Sequence, residues 1–269
     1  MLLVSLVAYL LWQNISIGVS FYSYSDERVP EGLKGLRIVQ ISDLHNWNVK
    51  DRLLEKLIEE APDLIFITGD LIDRRKTRVD VALDQVEEWV KIAPVFYVSG
   101  NHEELSEEFD ILRSGMMNLG VHLLEDHMED FIYHGEHVMI AGLKDPAGEM
   151  GEVDYLFDDD VDSVSKRLDL VLANRDGSFF ILLSHRPELM EEYKNHEAPL
   201  VFAGHAHGGQ VRLPVIGGLV APNQGFFPRY DAGVYVEDKT TMIVSRGLGN
   251  SIFPLRIGNS PELVVVEFR

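Results

Sequence analysis

Five short stretches of the sequence carry side chains that bind metal ions or move protons. They are Asp43-Leu44-His45, Gly69-Asp70 followed by Asp73-Arg74, Gly100-Asn101-His102-Glu103, His185-Arg186, and Gly204-His205-Ala206-His207. Neutral imidazole, carboxylate and amide oxygen suit manganese, iron and zinc, and a chain without cysteine offers no thiolate for a soft-metal site. Asp43, His45, Asp70, Asn101, His185, His205 and His207 are more groups than one tetrahedral ion takes. They fit two ions that share a bridging carboxylate, about 3.5–4 Å apart as in two-metal hydrolytic sites. One histidine at a strand end, or one Gly-Asp turn, is more often structural; the signal is all five stretches in order. His122, His127, His134, His137 and His196 lack this context and read as surface or turn residues.

Each stretch follows a short run of β-branched or aromatic residues: "LRIVQIS", "DLIFITG", "PVFYVSG", "SFFILLS" and "LVFAG". Such runs, bounded by glycine or polar residues, read as buried strands. Between them "DRLLEKLIEEA", "DVALDQVEEWVKI" and "ELSEEFDILRSGMMNLG" place apolar residues at helical spacing, and "RPELMEEYKN" reads as a shorter helix. Strand–helix alternation predicts an α/β fold with mainly parallel pairing here. In open α/β sheets ligands sit beyond the carboxyl ends of the strands, so the five strands deliver their polar residues to one rim. Residues 121–143 read as short strands around a hairpin at "HGEH", and 208–269 contain no helical pattern but a hairpin around Glu237–Asp238 and a final strand "PELVVVEF". This C-terminal part and a strand over Ile15–Phe21 are expected to form a second, more antiparallel sheet. The acidic "DYLFDDDVDS" at 154–163 reads as a solvated helix entry, because the glycine of a calcium loop is absent.

Composition narrows the partners. The formal net charge is −20, which repels a nucleic-acid backbone and sets a nuclease aside. No G-x-S-x-G or G-x-x-x-x-G-K-[ST] is present, so serine-hydrolase and P-loop chemistry have no support.

The combination D-x-H, GD-x-x-DR, GNHE, H and GHxH resembles the calcineurin-like metallophosphoesterase superfamily. "GHAHGGQVRLP" and "SRGLGNSIFPLRIGNSPELVVVEF" are similar to a bacterial subgroup with an N-terminal anchor or export signal, which includes phosphodiesterases and UDP-diacylglucosamine hydrolases. The resemblance implies a four-layer αββα sandwich of two mixed β-sheets flanked by helices, spanning residues 14–269. It implies that Asp43, His45, Asp70 and His207 hold one metal, and Asp70, Asn101, His185 and His205 the other. His102 is implied as the catalytic acid, Asp73 as the group that orients it, and Arg74 as a phosphate contact found in some branches. Glu103 is assigned either to the site or to a helix N-terminus. The implied reaction is hydrolysis of a phosphodiester by a metal-bridging hydroxide. The metals, with Arg74, Arg186 and Arg212, are expected to make the site locally positive. In the subgroup the loop after "DLH" often contains glycine. Here it is "NWNVKDR", which sets the rim near Asn46 and Trp47 apart.

Residues 1–13 are apolar, and no charged side chain precedes Asp26. The uninterrupted run is about a dozen residues, short of the ~20 of a spanning helix. It reads either as the tail of a signal anchor that begins upstream or as a helix packed on the domain, and Trp12 at an interfacial position favours the anchor. That reading gives membrane association facing outside the cytoplasm. With the apolar segment "GGLVAPNQGFFPRY", it points to a lipid-bearing or nucleotide-linked phosphodiester. Alternatives are a soluble phosphomonoesterase or protein phosphatase, and a metal-retaining binding protein without catalysis. The latter predicts a missing ligand or acid, and every such position is filled.

Overall fold

A computed structural model describes residues 2–150, 161–173, 175, 177–250 and 253–269. The chain begins with α1 (Leu2–Ile15), β1 (Gly18–Tyr24), β2 (Arg37–Ile41), α2 (Lys50–Glu60), β3 (Leu64–Thr68), α3 (Val79–Trp89) and β4 (Val95–Val98). It continues through α4 (Asn101–Glu104), α5 (Phe109–Asn118), β5 (His122–Leu123), β6 (His127–Tyr133) and β7 (Glu136–Gly142). Then come α6 (Ala147–Met150), α7 (Val161–Val171), β8 (Phe180–Leu183), α8 (Met190–Asn195) and β9 (Leu200–Ala203). The last part is strands alone: β10 (Arg212–Leu213), β11 (Gly217–Gly218), β12 (Val220–Ala221), β13 (Gly225–Phe226), β14 (Gly233–Glu237), β15 (Thr240–Val244) and β16 (Glu262–Phe268). Of the acidic stretch at 154–163, only Val161–Ser163 falls within the described residues, where it opens α7.

Two six-stranded mixed sheets stack face to face, in the orders β1-β16-β2-β3-β4-β5 and β14-β15-β9-β8-β7-β6. Phe66, Phe96, Phe202, Ile38, Ile140, Ile181 and Val264 fill the layer between them. On the outer face of the first sheet lie Leu53 and Leu57 of α2, Val86 and Trp89 of α3, and Leu112 and Met116 of α5. The second sheet is covered by Val164 and Leu168 of α7 and by Met190 and Tyr193 of α8. This is the four-layer αββα sandwich, and each strand that leads into the site is buried on both faces.

The strands are partitioned differently from the sequence reading. β2, β3 and β4 pair in parallel in one sheet, while β8 and β9 pair in parallel in the other. The rim is therefore built from two sheets rather than one. β1 and β16 belong to the first sheet, not to a second antiparallel one: β16 inserts between β1 and β2, parallel to the former and antiparallel to the latter. The reason is burial. "ELVVVEF" is buried along nearly all its length, as an internal strand must be, while β1 alternates as an edge does. The "ELSEEFDILRSGMMNLG" helix is broken, with α4 and α5 separated around Leu105–Glu108.

α1 extends through Ile15, two residues beyond the expected boundary at 13, so the strand starts at Gly18. Val4, Val7, Tyr9, Leu11, Trp12 and Ile15 are exposed, and the last turn is seated through Gln13 and Asn14. Its 14 residues span about 21 Å at 1.5 Å each, short of the ~30 Å hydrocarbon layer. Among the described residues no helix is long and apolar enough to cross a membrane.

The inter-sheet layer tolerates little. Phe66 is fully buried and meets Phe96 and Phe202 edge-to-face at 6.1 and 5.1 Å. Phe66→Ala is expected to lower unfolding free energy by ~3–5 kcal/mol in a denaturant titration, the cost of an unfilled aromatic cavity.

Candidate metal centre

The ligand-bearing loops leave β2, β3, β4, β8 and β9 at the same end of the stacked sheets. Asp43, His45, Asp70 and His207 converge in one cluster and Asp70, His185 and His205 in a second, with Asp70 common to both, while His45, Asp73 and His102 form a third, less buried group beside the first. His45 Nε2 lies 3.1 Å from His207 Nε2 and 3.6 Å from Asp70 Oδ2. His207 Nε2 is 3.3 Å from Asp43 Oδ1. On the other side His185 Nε2 lies 3.3 Å from Asp70 Oδ2 and 3.1 Å from His205 Nδ1. Asn101 is buried, and its Oδ1 has no partner among the described protein groups.

These distances fit a metal centre. Donor atoms about 2.0–2.1 Å from one ion, at tetrahedral or octahedral angles, lie roughly 2.8–3.4 Å from each other, and of these separations the 3.6 Å between His45 and Asp70 alone is longer. Burial first, then the charges around them, lowers His45 and His205 to about 3 and His207 well below its usual range. Neutral imidazoles whose nitrogens face one another at 3.1 Å repel unless a cation or proton lies between them. Burial raises Asp43 to about 6. Asp70 is held well below the carboxylate range: burial opposes its charge, but His185 and His102 outweigh that. His185 donates Nδ1–H to the Thr68 carbonyl at 2.7 Å, which leaves Nε2 as the free donor, the tautomer a metal ligand needs. Zinc, manganese and iron all accept this nitrogen and oxygen set.

Backbone conformation is unusual at the ligands themselves. Asp43, His45, Asp70, His205 and His207 all have positive φ, between 47° and 65°. Non-glycine residues there are strained and persist only where surrounding contacts fix them. The glycines beside them solve a second problem, close approach. A Cβ on Gly100 would come within 2.3 Å of Asp70 Oδ1, and one on Gly247 within 2.6 Å of the Asp43 Cβ.

Several supporting residues were not found from the sequence. Glu103, read as a site residue or a helix-terminal charge, is fully buried and binds backbone. Its Oε2 accepts N–H bonds from Asp70 at 2.7 Å and Gly100 at 2.8 Å, and its Oε1 accepts from Ile72 at 3.0 Å. Burial and the nearby Asp70 charge push it up to about 8 despite these bonds. Asp70 Oδ1 in turn accepts the His102 N–H at 2.9 Å. Arg256 is also fully buried: Nη2 lies 3.3 Å from His207 Nδ1, and Nη1 donates to the Arg246 carbonyl. Asn223, at the tip of the β12–β13 hairpin, places Oδ1 3.2 Å from His205 Nε2. Glu103 was visible in the GNHE stretch but not its role, and Arg256 and Asn223 lay in quoted stretches without being singled out.

The remaining site residues differ from expectation in detail. His102 stands edge-on to His45, ring centroids 4.4 Å apart. Its Nδ1 accepts the backbone N–H of Arg74 at 3.2 Å, and Asp73 Oδ1 is 4.0 Å away, so the loop backbone rather than the aspartate makes the hydrogen bond. Arg186 and Arg212 do not add free positive charge. Arg186 is buried in a two-point pair with Asp145 at 2.8 and 3.0 Å, and Arg212 pairs with Asp231 at 2.9 Å. His122 and His127 bond Glu129, His137 bonds Asp130, and all three lie away from the clusters.

Comparison with known proteins agrees with this geometry. The family model "Calcineurin-like phosphoesterase" matches residues 36–209. The chain is similar to an uncharacterized metallophosphoesterase of Bacillus subtilis, YkuE, at 29% identity over 90% of this chain and 82% of that protein. It is 24% identical to phosphodiesterase YaeI of Escherichia coli over 78% of this chain and 72% of that one. Among solved structures, TT1561 of Thermus thermophilus superposes with a TM-score of 0.55 at 13% identity, covering 80% of this chain and 90% of the other, which supports the fold alone.

The Glu103 clamp yields a prediction separate from chemistry. Glu103→Gln swaps one accepting oxygen for an N–H₂ that faces backbone donors, so it is expected to cost ~1–3 kcal/mol of stability. It should also lower metal content on purification, because Asp70 loses its backbone anchor. Denaturation and elemental analysis read the two effects, and an unchanged metal content would remove Glu103 from the support of Asp70.

Proposed function

Because the chain belongs to the calcineurin-like phosphoesterase family, we propose that it hydrolyses phosphodiesters at a dinuclear metal centre. Asp43, His45, Asp70 and His207 hold one ion in this reading, and Asp70, Asn101, His185 and His205 the other. The observation that carries it is the single carboxylate, Asp70, common to two adjoining ligand clusters. Two divalent cations there offset the charge of the phosphate oxygens and acidify a water so that hydroxide exists near neutral pH.

The chain's own groups then have distinct tasks. The Arg74 N–H makes His102 Nδ1 an acceptor, so the neutral ring carries its proton on Nε2. That proton is directed at the ester oxygen on which negative charge develops. Asp73, whose Oδ1 lies 4.0 Å from Nδ1 and accepts the Arg75 N–H, is assigned to steady the ring through the loop it shares with Arg74. Arg74 follows Asp73 directly and is assigned to a phosphate oxygen. Preference for a diester over a monoester follows from charge: Arg186 and Arg212 are each paired with an aspartate, which leaves less fixed positive charge for a dianion. The phosphodiesterase name of the Escherichia coli relative supports the same reading.

A lipid-bearing substrate is the finer part of the proposal. Asn223 touches His205, and Phe226 and Phe227, a few residues on, are 75% and 62% exposed. Tyr230, in contrast, is buried and serves the second sheet. Aromatic side chains held in water beside a metal cluster suit acyl chains at a membrane surface, and the exposed apolar side of α1 suits the same surface. In this reading the protein acts at the cell membrane, facing outside the cytoplasm.

Turnover of bis(p-nitrophenyl) phosphate tests the chemistry. Asp70→Asn is expected to lose both activity and metal, whereas His102→Ala keeps its metal and loses ~10²–10⁴-fold in turnover. A His102→Ala protein with full activity would exclude this acid. Detergent-dispersed nucleotide–lipid diesters test the substrate class. They should be turned over faster than water-soluble diesters, and Phe226→Ser with Phe227→Ser should abolish the difference. Equal or better turnover of the soluble compounds by the wild type would count against a lipid.

A further inference from the structure

Against His45 of the first ligand cluster lies a cavity of about 430 Å³. It is lined by His45, by Ile15 from the last turn of α1, by Trp47 and by Leu248, with Asn46 and Asn250 at its edge. Its size falls within the ~300–1,000 Å³ of small-molecule sites. None of the described residues that line it carries a formal charge, in a chain whose net charge is −20.

The walls are built rather than incidental. Leu248 N–H bonds the Ser42 carbonyl at 3.0 Å, which ties the 247–249 turn to the residue before Asp43. Gly249 lies so close to that segment that a Cβ would meet the Leu44 carbonyl at 2.3 Å. Arg52 joins the other two walls from outside: it donates to the Ile15 carbonyl at 2.6 Å, and its guanidinium lies 5.3 Å from the Trp47 ring centroid. Asn14 fixes the helix end by bonding both the N–H and the carbonyl of Arg256, at 2.7 and 2.8 Å. Those amide groups are spent on backbone. Asn46 likewise bonds the Lys76 carbonyl and the Arg78 N–H, and Asn250 Nδ2 the Pro254 carbonyl, so what the cavity offers an occupant is the Trp47 indole, the Ile15 side chain and an uncharged amide rim beside a candidate metal ligand.

We propose that this cavity is a substrate subsite that receives an uncharged, apolar or aromatic ester substituent of the phosphodiester. It rests on the hydrolase reading above and adds that α1, whatever else it contacts, forms one wall of the binding site. A phosphate held between the two ligand clusters has two ester groups, and one of them is directed past His45 into this uncharged recess. A charged substituent loses its hydration there and gains no partner.

The test uses metal-loaded protein and three diesters with the same p-nitrophenyl leaving group, whose second substituent is methyl, phenyl or carboxymethyl. The wild type is expected to favour phenyl over methyl and to discriminate against carboxymethyl, with the difference in KM. Ile15→Glu places a charge in the wall at a half-exposed position, and Trp47→Ala removes the indole. Each should reduce the phenyl-to-methyl ratio of kcat/KM by about tenfold or more, the usual worth of an apolar contact in a specificity pocket. Ile132→Glu, at an equally exposed isoleucine on β6, should leave the ratio unchanged. Calorimetric binding of phenyl methylphosphonate against methyl methylphosphonate separates the two levels of the argument. Tighter binding of the phenyl compound, lost in Ile15→Glu, supports the subsite even if no diester is hydrolysed, an outcome that overturns only the hydrolase reading. Equal affinities and an unchanged ratio in the variants overturn the subsite while leaving hydrolysis intact.

Discussion

The Asp70 carboxylate is the point on which the two ligand clusters depend, and holding it there is costly. It is nearly inaccessible to water, it faces imidazole nitrogens on both sides, and its own backbone has a left-handed φ of 56°. A charged group in such a place persists only if its surroundings answer each of its demands. Glu103 binds the Asp70 N–H from below, the His102 N–H binds Oδ1, and Gly100 yields the space that a side chain would take. The same requirement repeats at Asp43, whose oxygens accept the His205 N–H at 3.1 and 3.2 Å while Gly204 and Gly247 let its neighbours close in. The strained ligand conformations are therefore consequences of bringing like groups together around cations, with the surrounding hydrogen bonds maintaining them.

The sandwich makes this convergence mechanically possible. Parallel strands in each sheet end at the same level, and the aromatic layer between the sheets fixes their separation. Loops from β2, β3 and β4 then meet loops from β8 and β9 across the seam. The chain's ends reinforce the seam from one side. β16 sits between β1 and β2, and the segment before it carries Arg256 to His207 while Asn14 holds that segment in place. The first and last parts of the sequence thus bear on the centre, although every ligand lies between Asp43 and His207.

That arrangement explains what could be read from residues alone. Buried strands followed by Gly-Asp, Gly-Asn-His or Gly-His-Ala-His were legible because apolar runs and punctuation are local signals. Local order also revealed the "HGEH" and Glu237–Asp238 hairpins. Which sheet each strand joins was not legible, since β1 and β16 are partnered by residues more than two hundred positions apart. Glu103 shows another limit: an acidic residue at a helix start has the same appearance whether it faces water or three buried N–H groups. The hydrogen bond from Arg74 N–H to His102 likewise depends on a loop path, and a motif specifies which side chains are present but not which backbone group they meet.

Charge raises a question that composition alone poses wrongly. A protein at −20 is expected to repel a phosphate, yet the overall sum says little about a buried site. Among the described residues of the two clusters Asp43 and Asp70 are the carboxylates; burial shifts His45 and His205 toward the neutral form, while Asp70 pulls His185 the other way, favouring on its Nε2 a proton that a bound cation would replace. Two divalent ions would outweigh two carboxylates, so a loaded site would attract a phosphoester whatever the distant surface carries. Arg186 and Arg212 do not alter that balance, because each is already matched by an aspartate. Attraction for the substrate and occupancy by metal are then one property rather than two. The acidic exterior, screened within about 8–10 Å at ordinary ionic strength, disfavours polyanions without opposing a small phosphoester.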